Sequence, residues 1–132
     1  MVQNAEEEGV QWASKDDPRV LSGCQWMRKS HADELPQLFN ILVGQMSMVG
    51  PRPERPEIFT QLSNELPEIE MRLVTRPGLT GLAQVRNGYT NDIEGMRRKL
   101  AYDLRYLRRH SLTGDIKLML ATLPRLWDST AC

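Results

Sequence analysis

Apolar residues return every three or four positions from residue 33 onward, and this rhythm divides the chain into helices and the breaks between them. Leu35, Leu38, Phe39 and Leu42 share one helical face, Pro36 falls in the first turn and Gly44 follows the last periodic residue, which predicts a short helix with marked ends. Met96, Leu100, Leu104 and Leu107 form a stripe at i, i+4, i+8 and i+11 between Ile93 and His110, with most of the arginines elsewhere on the circumference. That segment is predicted as an amphipathic helix. Leu112, Ile116, Met119, Leu120 and Leu123 repeat the pattern and predict a last helix ending before Pro124. Helical spacing also returns over residues 58–62 and 69–73.

Two breaks interrupt the rhythm. Val49-Gly50-Pro51-Arg52-Pro53-Glu54-Arg55-Pro56 contains three prolines, which fix φ and remove three amide donors, so a rigid loop is expected. Arg76-Pro77-Gly78-Leu79-Thr80-Gly81 breaks the chain again, and residues 82–85 read as extended, a small hairpin or an isolated strand. Before Ser30, mixed charges with Asp17-Pro18 and Ser22-Gly23 predict a short polar helix, turns and a brief extended piece. The expected fold class is mainly α with short β elements, an α+β arrangement, in a single small domain over residues 1–132.

Charge changes this picture little in total and more in its distribution. Lys and Arg equal Asp and Glu at 17 each, so no basic excess is present to draw in nucleic acid at long range. The beginning is acidic at Glu6, Glu7, Glu8, Asp16 and Asp17, whereas Arg97, Arg98, Lys99, Arg105, Arg108 and Arg109 crowd one later stretch. That stretch is a solvated helix face or a face that meets anions. Few aromatics interleave with the arginines, which argues against a stacking platform for nucleic acid. Cys24 and Cys132 have no metal-ligand spacing and are expected as free thiols of a reducing, cytoplasmic compartment. No run of about 18 apolar residues exists, so neither a spanning helix nor a signal peptide is predicted. His31 and His110 have no metal spacing.

Three groups of residues could carry chemistry. The adjacent carboxylates Asp33 and Glu34 open the first clear helix, where capping accounts for them without any function. The functional alternative is a nucleophile beside a metal-holding neighbour. Arg28 and Arg52 are candidates for phosphate, because a guanidinium donates two parallel hydrogen bonds and stays charged. Pro51 and Pro53 flank Arg52 and would hold its backbone rigid; a solvated loop arginine is the alternative. Asp103 and Asp115 fall on or beside the apolar stripes of their helices, where a carboxylate needs an arginine, a metal ion or a substrate group. A structural salt bridge, or first-turn capping for Asp115, would also satisfy them.

Longer strings add a resemblance. Asp33-Glu34-Leu35-Pro36-Gln37-Leu38-Phe39-Asn40, Met46-Ser47-Met48-Val49-Gly50-Pro51-Arg52-Pro53, Arg76-Pro77-Gly78-Leu79-Thr80-Gly81-Leu82-Ala83-Gln84-Val85, Tyr102-Asp103-Leu104 and Ser111-Leu112 through Asp115-Ile116-Lys117 together resemble the bacterial sugar transferase family, in family order over nearly the whole chain. Ser30-His31-Ala32 departs from the usual Ser/Thr-Leu before the dyad. The resemblance implies transfer of a phospho-sugar from a UDP-sugar to polyprenyl phosphate, the first membrane step of exopolysaccharide, capsule or glycan assembly. It implies Asp33 as the nucleophile that forms a phospho-sugar enzyme intermediate, and Glu34 as the residue that helps place Mg²⁺. Arg28 and Arg52 match arginines near the phosphate site, and Pro51, Pro53, Asp103 and Asp115 match supporting positions. Family members carry an upstream hydrophobic segment, so the resemblance implies an N-terminally truncated catalytic portion. It further implies residence at the cytoplasmic face of the bacterial inner membrane, with a homodimer allowed. A non-catalytic remnant or interaction module is the alternative reading.

Overall fold

The structure is a computed structural model that describes residues 22–24, 27, 30–87 and 92–126. Helix α1 spans Leu35–Leu42, strand β1 Ser47–Val49, helix α2 Pro56–Glu65, a 3-10 segment Pro67–Val74, strand β2 Gly78–Thr80, and helices α3, α4 and α5 span Leu82–Asn87, Ile93–Arg109 and Leu112–Leu126. Short 3-10 turns occupy Ser22–Cys24 and Ala32–Glu34. The α+β class predicted from the rhythm is the one observed.

The core lies between α2, the 3-10 segment and α4. Ile58, Leu62, Leu66, Ile69, Met96 and Leu100 are buried together, and Phe59, Ile93 and Leu104 pack against them. Each such side chain contributes roughly 1.5–3 kcal/mol by leaving water. Helix α4 begins at Asp92, whose carboxylate accepts from the Gly95 amide at 3.1 Å, and the Asn87 side-chain amide donates to the Gly95 carbonyl at 3.2 Å. This N-cap satisfies one of the open amides of the first turn.

The two strands form a parallel pair with Ser47 opposite Gly78 and Val49 opposite Thr80. The glycines around them serve close approach. A Cβ on Gly78 would overlap the Gly50 amide nitrogen, and one on Gly50 would meet the Arg76 carbonyl oxygen at 2.8 Å. The Thr80 hydroxyl lies 2.6 Å from that of Thr122, which ties β2 to α5.

Three expectations are corrected. Residues 82–85 belong to a helix, Leu82–Asn87, because four residues are too few to show a period of their own. The predicted hairpin or isolated strand is a parallel pair, and its partner Ser47–Val49 is too short to show alternation. Helix α5 continues through Pro124 to Leu126, since a proline near the last turn forfeits one amide bond without ending the helix. The elements predicted before Ser30 fall mostly outside the described residues. No helix among the described residues is long and apolar enough to cross a membrane.

Candidate functional site

Asp33 and Glu34 sit in the 3-10 turn that leads into α1. His31 precedes them in the left-handed region at φ 53°, a costly conformation for a residue with a Cβ, and the Glu34 amide closes the turn on the His31 carbonyl at 3.0 Å. Glu34 occupies the cap position of α1, and its side chain makes no capping hydrogen bond. The Glu34 carboxylate is therefore not consumed by capping. Asp33 is exposed and Glu34 is half-buried.

Arg52 reaches Glu34 from the loop between β1 and α2. Its Nη2 donates to Glu34 Oε1 at 2.7 Å, and its Nη1 points to the Leu79 carbonyl at 3.5 Å. His31 Nδ1 is 3.9 Å from the same Glu34 oxygen, so both contacts fall on Oε1. The loop is seated on β2: the Gly50 amide donates to the Thr80 carbonyl and the Gly78 amide to the Pro51 carbonyl, each at 2.9 Å. Pro51 is buried and Pro53 is exposed. A cavity of about 320 Å³ opens beside Arg52, walled by Pro51, Pro56, Phe59, Leu73 and Pro77.

Asp103 lies beneath this loop. It is 1% exposed, and its Oδ2 is 2.9 Å from Arg72 Nε in an ion pair skewed from hydrogen-bond alignment. Burial pushes the Asp103 carboxyl up from its ordinary range, against the pull of Arg72 and Lys99, while Glu54 adds to the rise. Arg72 Nη1 is 3.5 Å from Glu54 Oε1, and Lys99 Nζ pairs with that same oxygen. Arg72 Nη2 donates to the backbone carbonyl of Arg52 at 2.6 Å. Asp103 thus takes the structural salt bridge named among its alternatives and is joined to the dyad through Arg72 and Arg52.

Asp115, in the first turn of α5, is half-buried, and its Oδ1 is enclosed with no hydrogen-bond partner among the described residues. It borders Tyr106, whose hydroxyl donates to the Val49 carbonyl at 3.3 Å. Burial first, and then the adjoining Asp115 carboxylate with its charge, push the Tyr106 phenol up to about 12. Among the predicted site residues, Glu34 and Arg52 touch, Asp33 precedes Glu34 in the same turn, and Asp115 borders Tyr106, whose hydroxyl meets the last residue of β1. Arg28 lies outside the described residues.

Sequence reasoning passed over Arg72, Glu54, Lys99 and Tyr106. Arg72 carried a readable signal, because Leu62, Leu66, Ile69 and Arg72 follow one another at spacings of four, three and three, which places a guanidinium on an apolar stripe. Like Asp103, it is a charge on an apolar stripe and needs partners.

The sequence model of the bacterial sugar transferase family matches residues 1–129. The chain belongs to that family. Among its relatives within the bacterial sugar transferases is the UDP-N-acetylgalactosamine-undecaprenyl-phosphate N-acetylgalactosaminephosphotransferase of Aeromonas hydrophila, 41% identical over 93% of this chain and 29% of the relative. A UDP-glucose:undecaprenyl-phosphate glucose-1-phosphate transferase of Caulobacter vibrioides is 44% identical over 89% of this chain and 45% of its own length. The transferase of the same description from Escherichia coli is 37% identical over 86% and 25%. The chain spans less than half the length of each of these three sugar transferases.

Proposed function

We propose that this chain is catalytic and transfers a phospho-sugar from a UDP-sugar to polyprenyl phosphate, with Asp33 as the nucleophile. The observation that carries the reading is the 2.7 Å contact between Arg52 and Glu34, which ties a guanidinium to the carboxylate next in the chain to the exposed Asp33. The sugar transferase relatives, described as acting between UDP-sugars and undecaprenyl phosphate, support the same chemistry.

The Asp33 carboxylate attacks the sugar-bearing phosphorus of the UDP-sugar. The bond from that phosphorus to the bridging oxygen breaks, uridine monophosphate leaves with the electron pair, and a phospho-sugar remains on Asp33 as a mixed anhydride. A phosphate oxygen of the polyprenyl phosphate then attacks the same phosphorus, and the Asp33 carboxylate departs. Arg52 gives one N–H to Glu34 and has others left for phosphate oxygens, where its charge offsets the repulsion between carboxylate and diphosphate.

The residues present fit Mg²⁺. Two adjacent carboxylates are offered, and the contacts to Glu34 fall on Oε1, which leaves Oε2 for an ion. This is the donor set of an ion that binds through one or two carboxylates and completes its shell with water and substrate phosphate. Glu34 would hold it, and it would supply neutralisation of the diphosphate.

Helix α1 carries the dyad toward lipid in this reading. Leu35, Phe39, Leu42 and Val43 are exposed, Leu42 at 85%, which supports contact with the cytoplasmic membrane face where the acceptor resides. The test is release of uridine monophosphate from a panel of UDP-sugars with Mg²⁺ and dispersed polyprenyl phosphate, run on the full-length protein and on Asp33→Asn. Release that depends on Asp33 and on the acceptor for turnover is expected. No release from any UDP-sugar would favour a non-catalytic module.

A further inference from the structure

Between Asp33 and the core lies a cluster of four buried or half-buried charges that the reaction above does not use: Arg72 and Lys99 against Asp103 and Glu54. The side chains of Arg72 and Asp103 are only 5% and 2% exposed. Such clusters stabilise poorly, because removing ions from water costs about as much as their attraction returns, and apolar side chains of similar volume would fill the space as well. Stability alone therefore does not account for them.

What apolar side chains could not do is hold the Arg52 loop. Pro51, Pro53 and Pro56 have no amide hydrogen, so this stretch offers few donors and must be fixed through its carbonyls and side chains. Gly78 takes the Pro51 carbonyl on the strand side. On the core side Arg72 donates to the carbonyl of Arg52 itself at 2.6 Å, and Glu54, on the same loop, sits between Arg72 and Lys99. Asp103 faces the Arg72 Nε from α4 and keeps the guanidinium from turning away.

We propose that Arg72, seated between Asp103 and Glu54, is a positioning residue that fixes where the Arg52 guanidinium stands relative to Glu34 and the substrate phosphates. Arg72 makes no contact with Asp33 or Glu34 and acts through the backbone of Arg52. Lysine cannot replace it, since a single ammonium has no fork with which to meet Asp103, Glu54 and the carbonyl together. The kinetic part of this inference rests on the proposed reaction; the geometric part does not.

The experiment is a double-mutant cycle on the full-length protein, with uridine monophosphate release as the kinetic readout. Arg72→Lys is expected to lower kcat about 10- to 100-fold with KM changed less than about threefold, while the same substitution in an Arg52→Ala background adds less than about twofold. Losses that multiply in the double variant would overturn the proposal. In parallel, the Arg52 Nε–Hε resonance, assigned by its disappearance in Arg52→Lys, is followed by heteronuclear NOE. Loss of its order in Arg72→Lys is expected, and an unchanged value overturns the proposal even where kcat falls. Glu54→Gln, which leaves the Asp103 pair in place, serves if Arg72→Lys does not fold, with a kcat loss of about threefold expected and none counting against the inference. A wild-type protein that releases no nucleotide counts against the reaction, and the resonance of Arg52 then decides the positioning by itself.

Discussion

The two halves of this molecule are held together by different physics. Around α2, the 3-10 segment and α4, apolar side chains such as Leu62 and Ile69 meet in a core whose cohesion grows with the area buried. Around the dyad, the chain is held by backbone contact between Gly50 and Gly78, by carbonyls taken up by amides and by Arg72, and by the Glu34–Arg52 pair. Apolar packing tolerates substitutions of similar volume, whereas directional contacts have few substitutes. Changes in the first half should therefore be read in stability, and changes in the second in activity.

The sharpest separation comes at Asp33. Its side chain is exposed, so Asp33→Asn should unfold within about 0.5 kcal/mol of the wild type in a denaturant titration. Uridine monophosphate release should fall on the order of 1000-fold or more, about 4 kcal/mol in the barrier. Residual turnover within tenfold of wild type would move the nucleophile elsewhere. Leu62→Ala is the reverse case. A fully buried leucine in the core should cost about 2–5 kcal/mol in unfolding free energy, with kcat near wild type at temperatures where the variant is still folded.

How much of this was legible follows the same division. Helices α1, α4 and α5 were readable because long apolar stripes set a period that neighbours reinforce. The parallel strands were not, since three residues cannot show a period and their pairing depends on glycines that let two distant backbones touch. Asp103 was legible as a charge in the wrong place, and Arg72, its partner, was equally so. The dyad was different: spacing alone allowed simple capping, and only the longer strings pointed to chemistry. What no sequence rhythm could show is the link between these parts, because hydrogen bonds from a side chain to a carbonyl, such as Arg72 to Arg52, leave no trace in the pattern.

Gly78 tests whether the site half depends on backbone approach. A methyl group there would overlap the Gly50 amide nitrogen, which is backbone and cannot swing aside. Gly78→Ala should cost about 1–3 kcal/mol in stability, and should lower activity by more than that loss of folded protein explains, because the loop carrying Arg52 is displaced. An alanine variant with full activity and unchanged stability would show that the loop has another seat.

The smallest effect expected is also the one that places Asp115. Burial first, then the adjoining Asp115 carboxylate with its charge, favour the neutral Tyr106 phenol and push it up to about 12 in the folded protein, whereas an unfolded tyrosine ionises near 10. The native state therefore holds this proton more tightly. Its contribution to stability is whole below about pH 10 and is lost as pH rises from about 10 to about 12. Absorbance near 295 nm should show one tyrosine titrating late, and the denaturation midpoint should fall more steeply across that window than in Tyr106→Phe. Asp115→Asn should bring the late titration down without abolishing the shift, because burial is the larger cause. A Tyr106 that titrates identically in Asp115→Asn would mean that the enclosed carboxylate faces something other than the phenol, and would open Asp115 to a direct role at the end of β1.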